Sequence, residues 1–293
     1  MYSENEYFWR GLIVADADNI RLHPDPPESL CLLAVWENAY ALQYITEQTD
    51  GICLAAVQEN GLALRYVQHQ TRQICRAAVQ QNGRALQYVK NQSADICRDA
   101  VMQDGEALQF VHEQSEALCL AAVQQEGRAL VYVKEQTEEI CHAAVEQDGE
   151  ALEFARCQTP SLCYRAVCSM PEALRFVEVQ TEDLCRAAVR RDGLTLKYVE
   201  QQTEALCRKA IEEDAEALKY VRRQTEELCR LAIEQDADTL RYVRHQTREL
   251  CELAVEQDEG TLRYVADKEL RNTMAAEILG EDLEDEEDED EEE

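Results

Sequence analysis

The sequence has little of what catalysis or metal binding needs. It has five histidines, His23, His69, His112, His142 and His245. In His112-Glu113-Gln114-Ser115 the next residue, where a metalloprotease helix requires its second histidine, is Glu116. No glycine-rich phosphate loop and no nucleophile elbow occurs. These absences leave no catalytic or metal residue to nominate, predict no cofactor, and argue against an enzyme. Positive charge is also scarce: 29 Lys and Arg stand against 60 Asp and Glu, a net charge of -31. That balance disfavours non-specific attraction to nucleic acid or anionic lipid unless charge segregates locally. No apolar run approaches the roughly 20 residues of a membrane span. The opening MYSENEYFWR carries Glu4 and Glu6 where a signal peptide wants positive charge. The expected setting is cytoplasmic, or nucleus-accessible in a eukaryotic cell, away from membranes and without classical secretion.

What the sequence does contain is repetition. QTEELCRLA at Gln224 returns as QTRELCELA at Gln246, and cysteine recurs at 31, 53, 75, 97, 119, 141, 163, 185, 207, 229 and 251 without an insertion or deletion. A fixed period of this size is the mark of a stacked repeat array. Eleven units fill residues 27–268. Thirteen cysteines suggest disulfides, but equivalent points of stacked helices lie about 8–10 Å apart, beyond the roughly 7 Å Cα limit for a bridge. The cysteine column therefore reads as small buried hydrophobes.

The unit TDGICLAAVQENGLALRYVQHQ, starting at Thr49, carries Ile52, Cys53, Ala56 and Val57 on one helical face and Ala63, Leu64 and Val67 on another. Ten of the eleven units open with Thr or Ser, such as Thr71, as helix N-caps, often followed by acidic residues that suit the helix dipole. Mid-repeat, Asn or Asp precedes Gly at Asn60, Asn82, Asp104, Asp148 and Asp192, a left-handed helix end or a second N-cap. The same glycine column holds Pro171, Ala215 and Ala237, and proline cannot adopt positive φ, which favours N1 of a second helix. Each repeat then predicts two helices of about two turns. One continuous helix with an eleven-residue period is the rival. It would carry mid-span glycines at about 1 kcal/mol each, and Pro160 and Pro171 at about 3 kcal/mol each. The predicted fold is an all-α solenoid of eleven two-helix repeats with terminal caps. Its expected core columns run from Ala34 to Ala254 and from Leu42 to Leu262, and include Cys53, Ala56 and Leu64. The aromatic column, Tyr66 among it, reads as packing between repeats. The glutamine before each cap, Gln48 through Gln246, is expected to hydrogen-bond backbone of a neighbouring unit.

The strings AAVQQNGRALQYVKNQSADIC and CLAAVQQEGRALVYVKEQTEEIC resemble the short helical repeats of domain of unknown function 4116. The resemblance spans all eleven units and implies a helical array with no known activity. The unit from Pro160 to Gln180 departs most from the pattern, with SMP where others have QDG. Cys157, Cys163 and Cys168 gather there at spacings that match no CxxC metal site, and a local hinge is one reading.

At the ends, residues 1–26 are expected to cap the array, with Tyr7, Phe8, Trp9, Ile13 and Val14 folding over Leu32, Leu33, Trp36 and Tyr40. Residues 269–280 read as a closing helix. Residues 281–293, EDLEDEEDEDEEE, hold twelve acidic residues of thirteen and are expected to be disordered. Within the repeats, Arg175, Lys197, Lys219, Arg241 and Arg263 form one basic column, and Lys90, Lys134, Arg156, Arg222 and Arg244 another. Both are placed on the outer side of the second helix, three residues apart and so on one face. Complementing helix dipoles would explain them. A stripe for an acidic partner would too, with the chain's own tail as a shield that the partner displaces. The sequence points to a non-catalytic protein-binding scaffold with a protein partner, using this stripe and variable residues such as Arg65 and His112. The alternative is an acidic mimic or chaperone that holds basic, nucleic-acid-binding proteins through the tail. Direct nucleic-acid binding is opposed by the net charge.

Overall fold

The computed structural model describes residues 4–287, with side chains from 5 to 278. Among the described residues the regular structure is entirely helical. Two compact units divide the chain, Met1–Gln158 and Thr159–Glu293. Each is an all-α solenoid built of one motif: a ten-residue α-helix followed by a six-residue 3-10 helix, repeating every 22 residues. The boundary between the units falls at the start of the repeat that SMP sets apart.

The repeat from Thr49 shows how the sequence makes the motif. The Thr49 hydroxyl accepts the Ile52 N–H at 3.3 Å and starts α3, Asp50–Glu59. The helix ends at Asn60, which is extended at φ -150 and ψ 111. The same Asn60 side chain accepts the Leu62 N–H at 3.0 Å and starts the next helix, Gly61–Tyr66. One Asx residue thus closes one helix and opens the other, and no glycine among the described residues takes positive φ. The proline argument holds: Pro160 and Pro171 both sit at the first turn of their helices, where a missing N–H costs nothing.

The second helix is of the 3-10 type. Its bonds run from Ala63 N–H to Asn60 O and from Val67 N–H to Leu64 O, each spanning three residues. Six residues between two extended ones have little room for i→i+4 bonding, and 3-10 winding still closes two turns while rising about 2.0 Å per residue against 1.5 Å. The core is as expected, with Cys53 at 3% exposure and Ala56 and Leu64 at 0%. Tyr66 and its counterparts are only half-buried.

The joint between repeats is a glutamine side chain used as a peptide unit. Gln48 Nε2 donates to the Tyr66 carbonyl of the next repeat at 3.0 Å, and Gln48 Oε1 accepts the Gln68 N–H at 3.0 Å. Gln92 does the same to Phe110 O at 2.8 Å and His112 N at 3.1 Å, and Gln224 to Tyr242 O and Arg244 N at 2.9 Å each. Only a primary amide offers donor and acceptor side by side, and asparagine is one methylene shorter. The cysteine column completes the joint: Cys53 Sγ lies 3.7 Å from Gln48 Oε1, and Cys97 Sγ 3.7 Å from Gln92 Oε1. The thiol is more than a small hydrophobe there, because it supplies a weak donor to the same oxygen. Burial pushes Cys53 and Cys229 up to about 11, which keeps that proton in place at neutral pH.

A second glutamine tightens the other end of the interface. Gln81 Oε1 accepts the Gly61 N–H at 2.6 Å, and Gln147 Oε1 the Gly127 N–H at 2.6 Å. Glycine is used there for room, not for φ. A Cβ on Gly83 would lie 2.5 Å from the Ala100 carbonyl, and one on Gly127 2.7 Å from the Ala144 carbonyl.

The ends differ from expectation. Residues Glu4–Ala15 (α1) and Ala17–Leu22 repeat the α and 3-10 pair, and Asp16 caps Asp18 N–H as Asn38 caps Tyr40 N–H. The N-terminal segment is therefore a further, degenerate repeat. Its cover is made by Ile13 and Ile20, while Tyr7, Phe8 and Val14 stay about 60% exposed and Trp36 57%. Phe8 stands in the column of Leu30, and Leu22 in that of Tyr44. At the other end α13 runs from Lys268 to Glu287, past the boundary expected at 280, and buries its own Met274. Residues 288–293 of the acidic tail lie outside the described residues.

Two outcomes follow from the joint. Replacing Gln92 by Leu strands the Phe110 carbonyl, the His112 N–H and the Cys97 thiol together, and should cost about 1–3 kcal/mol in urea unfolding; Gln92→Glu, which keeps the acceptor and loses the donor, should fall between. The raised thiols set a pH dependence. Above pH 9 the unfolded chain releases thiol protons that the folded chain keeps, so stability present below pH 9 is lost as pH rises towards about 11. The midpoint of unfolding should drop less steeply over this window in the C53A/C229A double variant than in the parent, and parallel curves would contradict the assignment.

Candidate interaction surface

The two basic columns part company in the structure. Lys90, Lys134, Arg156, Arg222 and Arg244 do not lie on the second helix, as the sequence reading places them. Each is the second residue past the last turn of its 3-10 helix, and its charged end turns back onto carbonyls of the preceding repeat. Lys134 Nζ donates to His112 O at 2.8 Å, and Lys90 Nζ reaches Gln68 O at 3.3 Å. Arg156 donates to Lys134 O at 2.7 Å and Val133 O at 3.1 Å. Arg222 bonds Glu200 O and Val199 O, and Arg244 bonds Arg222 O at 2.8 Å. These cations satisfy carbonyls left open where a helix ends, as cations near helix C-termini commonly do. They remain exposed, but their charge already has a structural task.

Arg175, Lys197, Lys219, Arg241 and Arg263 occupy the fifth position of their 3-10 helices, and there the aromatic column meets them. Arg175 sits 4.4 Å from the Phe176 ring centre, Lys197 4.6 Å from Tyr198 and Arg263 4.6 Å from Tyr264. Lys219 lies 5.1 Å from Tyr220 and 5.7 Å from Tyr242; Arg241 lies 4.8 Å from Tyr242 and 5.8 Å from Tyr264. Cation and ring therefore alternate along the second unit, each cation over an electron-rich face. The neighbouring phenol oxygens of Tyr264 and Tyr242 raise the Arg241 guanidinium further, and Tyr198 raises the Lys197 ammonium. Acidic residues enter the ladder at two rungs. Glu216 accepts from Lys219 at 2.6 Å and Arg241 at 3.0 Å, and Lys219 above all holds its carboxyl below the usual range. Asp238 stands 3.7 Å from both Arg241 and Arg263.

The first unit is built otherwise. Its positions in this column are Arg21, Gln43, Arg65, Gln87, Gln109, Val131 and Glu153. Two of the seven make the pairing: Arg65, 4.9 Å from Tyr40 and 4.6 Å from Tyr66, and Arg21, 5.8 Å from Tyr44. Arg72, Arg76, Arg84 and Arg128 bind acids one repeat on instead, Arg72 to Asp95 at 2.6 Å, Arg76 to Asp99 at 2.6 Å, Arg84 to Glu106 and Arg128 to Glu150. The aromatic column runs through both units, so stacking of repeats does not require the cations beside it. The signal was present as adjacent pairs, RF at Arg175, KY at Lys197 and Lys219, RY at Arg241 and Arg263. Treating charge and ring as separate columns hid it.

For chemistry the structure offers less. Among the described residues no group of three or more His, Cys, Asp or Glu side chains is arranged to hold a metal ion. Cys163 is buried within its helix, Cys168 half-buried and Cys157 exposed. No described helix is long and apolar enough to cross a membrane.

The family model described as Domain of unknown function (DUF4116) matches residues 51–92, a stretch just short of two repeats. The repeat motif of this chain is thus similar to that family, whose description carries no activity. No curated protein matches the chain.

If the ladder is not needed to hold the second unit together, Lys197→Gln, which installs the residue found at positions 87 and 109, should leave the urea midpoint unchanged, whereas Gln202→Leu, five residues on and past the end of that helix, should lower it.

Proposed function

We propose that the chain is a non-catalytic protein-binding scaffold, with the cation and aromatic ladder of residues 175–264 as its main recognition surface. The observation that carries this is the division of labour among columns. The buried cysteine recurs in all eleven repeats, the joint glutamine runs from Gln48 to Gln246 without a break, and an Asx cap stands in every repeat except at Glu126 and Met170, because these residues make the joints and the turn. The charge of the fifth 3-10 position changes between units, and in five successive repeats it gathers into one basic row on a chain of net charge -31. Rigid arrays commonly acquire specificity by varying exposed positions on a fixed frame. Rings that stay half-exposed beside cations favour a protein partner presenting acidic groups. The reduced, buried thiols that bond the glutamines fit work in a cytosol-like compartment, since oxidation would remove their donors.

The test is affinity capture from nuclease-treated extract of the native cell, using the full chain, a chain ending at Gly280, and the K197Q/K219Q/R241Q variant. A discrete protein retained at high salt by the first two and lost by the third is expected. Basic proteins captured by the full chain alone, and released as salt rises, would instead move the function to the acidic tail as a mimic or chaperone.

A further inference from the structure

The ladder has a spacing that the ring contacts fix. Lys219 lies 5.1 Å from the centre of Tyr220 and 5.7 Å from that of Tyr242, so those two rings can be no more than 10.8 Å apart. By the same argument Arg241 limits Tyr242 and Tyr264 to 10.6 Å. A polypeptide in polyproline II form has three residues per turn and rises about 3.1 Å per residue, so every third side chain returns to the same face at about 9 Å, close to one rung of the ladder. Five rungs span roughly 40 Å at the usual 8–10 Å helix spacing. A thirteen-residue extended segment reaches at most about 43–47 Å.

The chain itself carries such a segment. In residues 281–293 every third position starting from Glu281 is acidic: Glu281, Glu284, Glu287, Asp290 and Glu293, five carboxylates for five cations. The helix α13, which carries the first three of them, follows directly on the repeat that holds the last rung, Arg263. We propose that the ladder is a binding surface for an extended acidic segment, and that residues 281–293 of the same chain are its occupant in the free protein.

Charge complementarity favours this occupant over one from outside. An acidic partner arriving in trans meets a chain of net charge -31, to which residues 281–293 contribute twelve acidic side chains, and gains the cations only by displacing that segment. A tethered segment instead acts at an effective concentration of order millimolar. Docking requires residues 281–287 to leave the helical path of α13. The like charges spaced four apart, Glu281 with Asp285 and Asp282 with Glu286, weaken the helix there. The acids within the ladder, Glu216 and Asp238, do not cancel it. Lys197 contacts neither of them, and Glu216 and Asp238 divide between three of the five cations. The inference rests on the reading of the ladder as a recognition surface but needs no particular partner.

The test uses a fluorescent peptide of residues 281–293 and fluorescence anisotropy at low and physiological salt. The protein is full length, with every Asp and Glu of 281–293 replaced by its amide, so that the ladder is vacant and α13 keeps its length. Saturable binding is expected, at least tenfold weaker to the unaltered chain, whose own segment competes. It should also be at least tenfold weaker when Lys197→Gln, Lys219→Gln and Arg241→Gln are added, with circular dichroism melting held constant. Absence of binding, equal binding to the triple variant, or equal binding to the unaltered chain would each overturn the proposal. So would a thirteen-nucleotide single strand that binds more tightly than the peptide. None of these results depends on whether a protein partner is captured from extract, so failure here leaves the scaffold reading to stand or fall by its own experiment.

Discussion

The side-chain amide of one glutamine per repeat is the interaction on which this architecture depends. It pairs with the next repeat as a strand pairs with a strand, one donor to a carbonyl eighteen residues ahead and one acceptor to an N–H twenty ahead. The cysteine five residues on donates to the same oxygen. An inserted residue anywhere between these points would separate the amide from both partners, leaving buried polar groups unpaired. That constraint accounts for a period that runs from Cys31 to Cys251 without slip. Hydrophobic packing alone tolerates looser registers.

Fixing the interior in this way leaves a short set of positions free to differ. The residue past each 3-10 helix is partly committed, because a cation there serves the open carbonyls of the helix before it, as Arg156 does for Val133 and Lys134. The fifth 3-10 position has no such duty. Glutamine, valine and glutamate stand at five of its seven positions in the first unit, beside Arg21 and Arg65, and cations stand at all five in the second, so the electrostatic character of a unit is set by one residue per repeat. A protein whose overall charge repels anions can in this way present a local row that attracts them.

Much of this was legible in the sequence. The period, the Thr and Ser caps and the core columns followed from spacing, and Pro171 in the glycine column identified the second N-cap. The 3-10 type of the second helix was not, because Leu, Ala, Tyr and Lys favour neither winding, and the choice is made by the extended residues that bracket six positions. The N-terminal repeat was hidden by substitution: Trp9 stands in the cysteine column and Leu22 in the aromatic one, while Ile13, Asp16, Ala17 and Arg21 keep the pattern. The fate of Lys90 and its column was also beyond reach, since three residues of separation put two side chains on one face only if the helix continues between them. Here it ends at Tyr88.

Amide hydrogen exchange would test the glutamine joint most directly. The N–H groups of Lys90, His112, Lys134, Arg222 and Arg244 belong to exposed residues beyond the end of a helix, where exchange is ordinarily fast. Each donates to a glutamine oxygen of the repeat before it. These amides should exchange as slowly as those of Cys97 and Ala100 in the adjoining core helix. Exchange at the rate of an unprotected loop would mean that the joint does not exist in solution and that packing alone holds the repeats together.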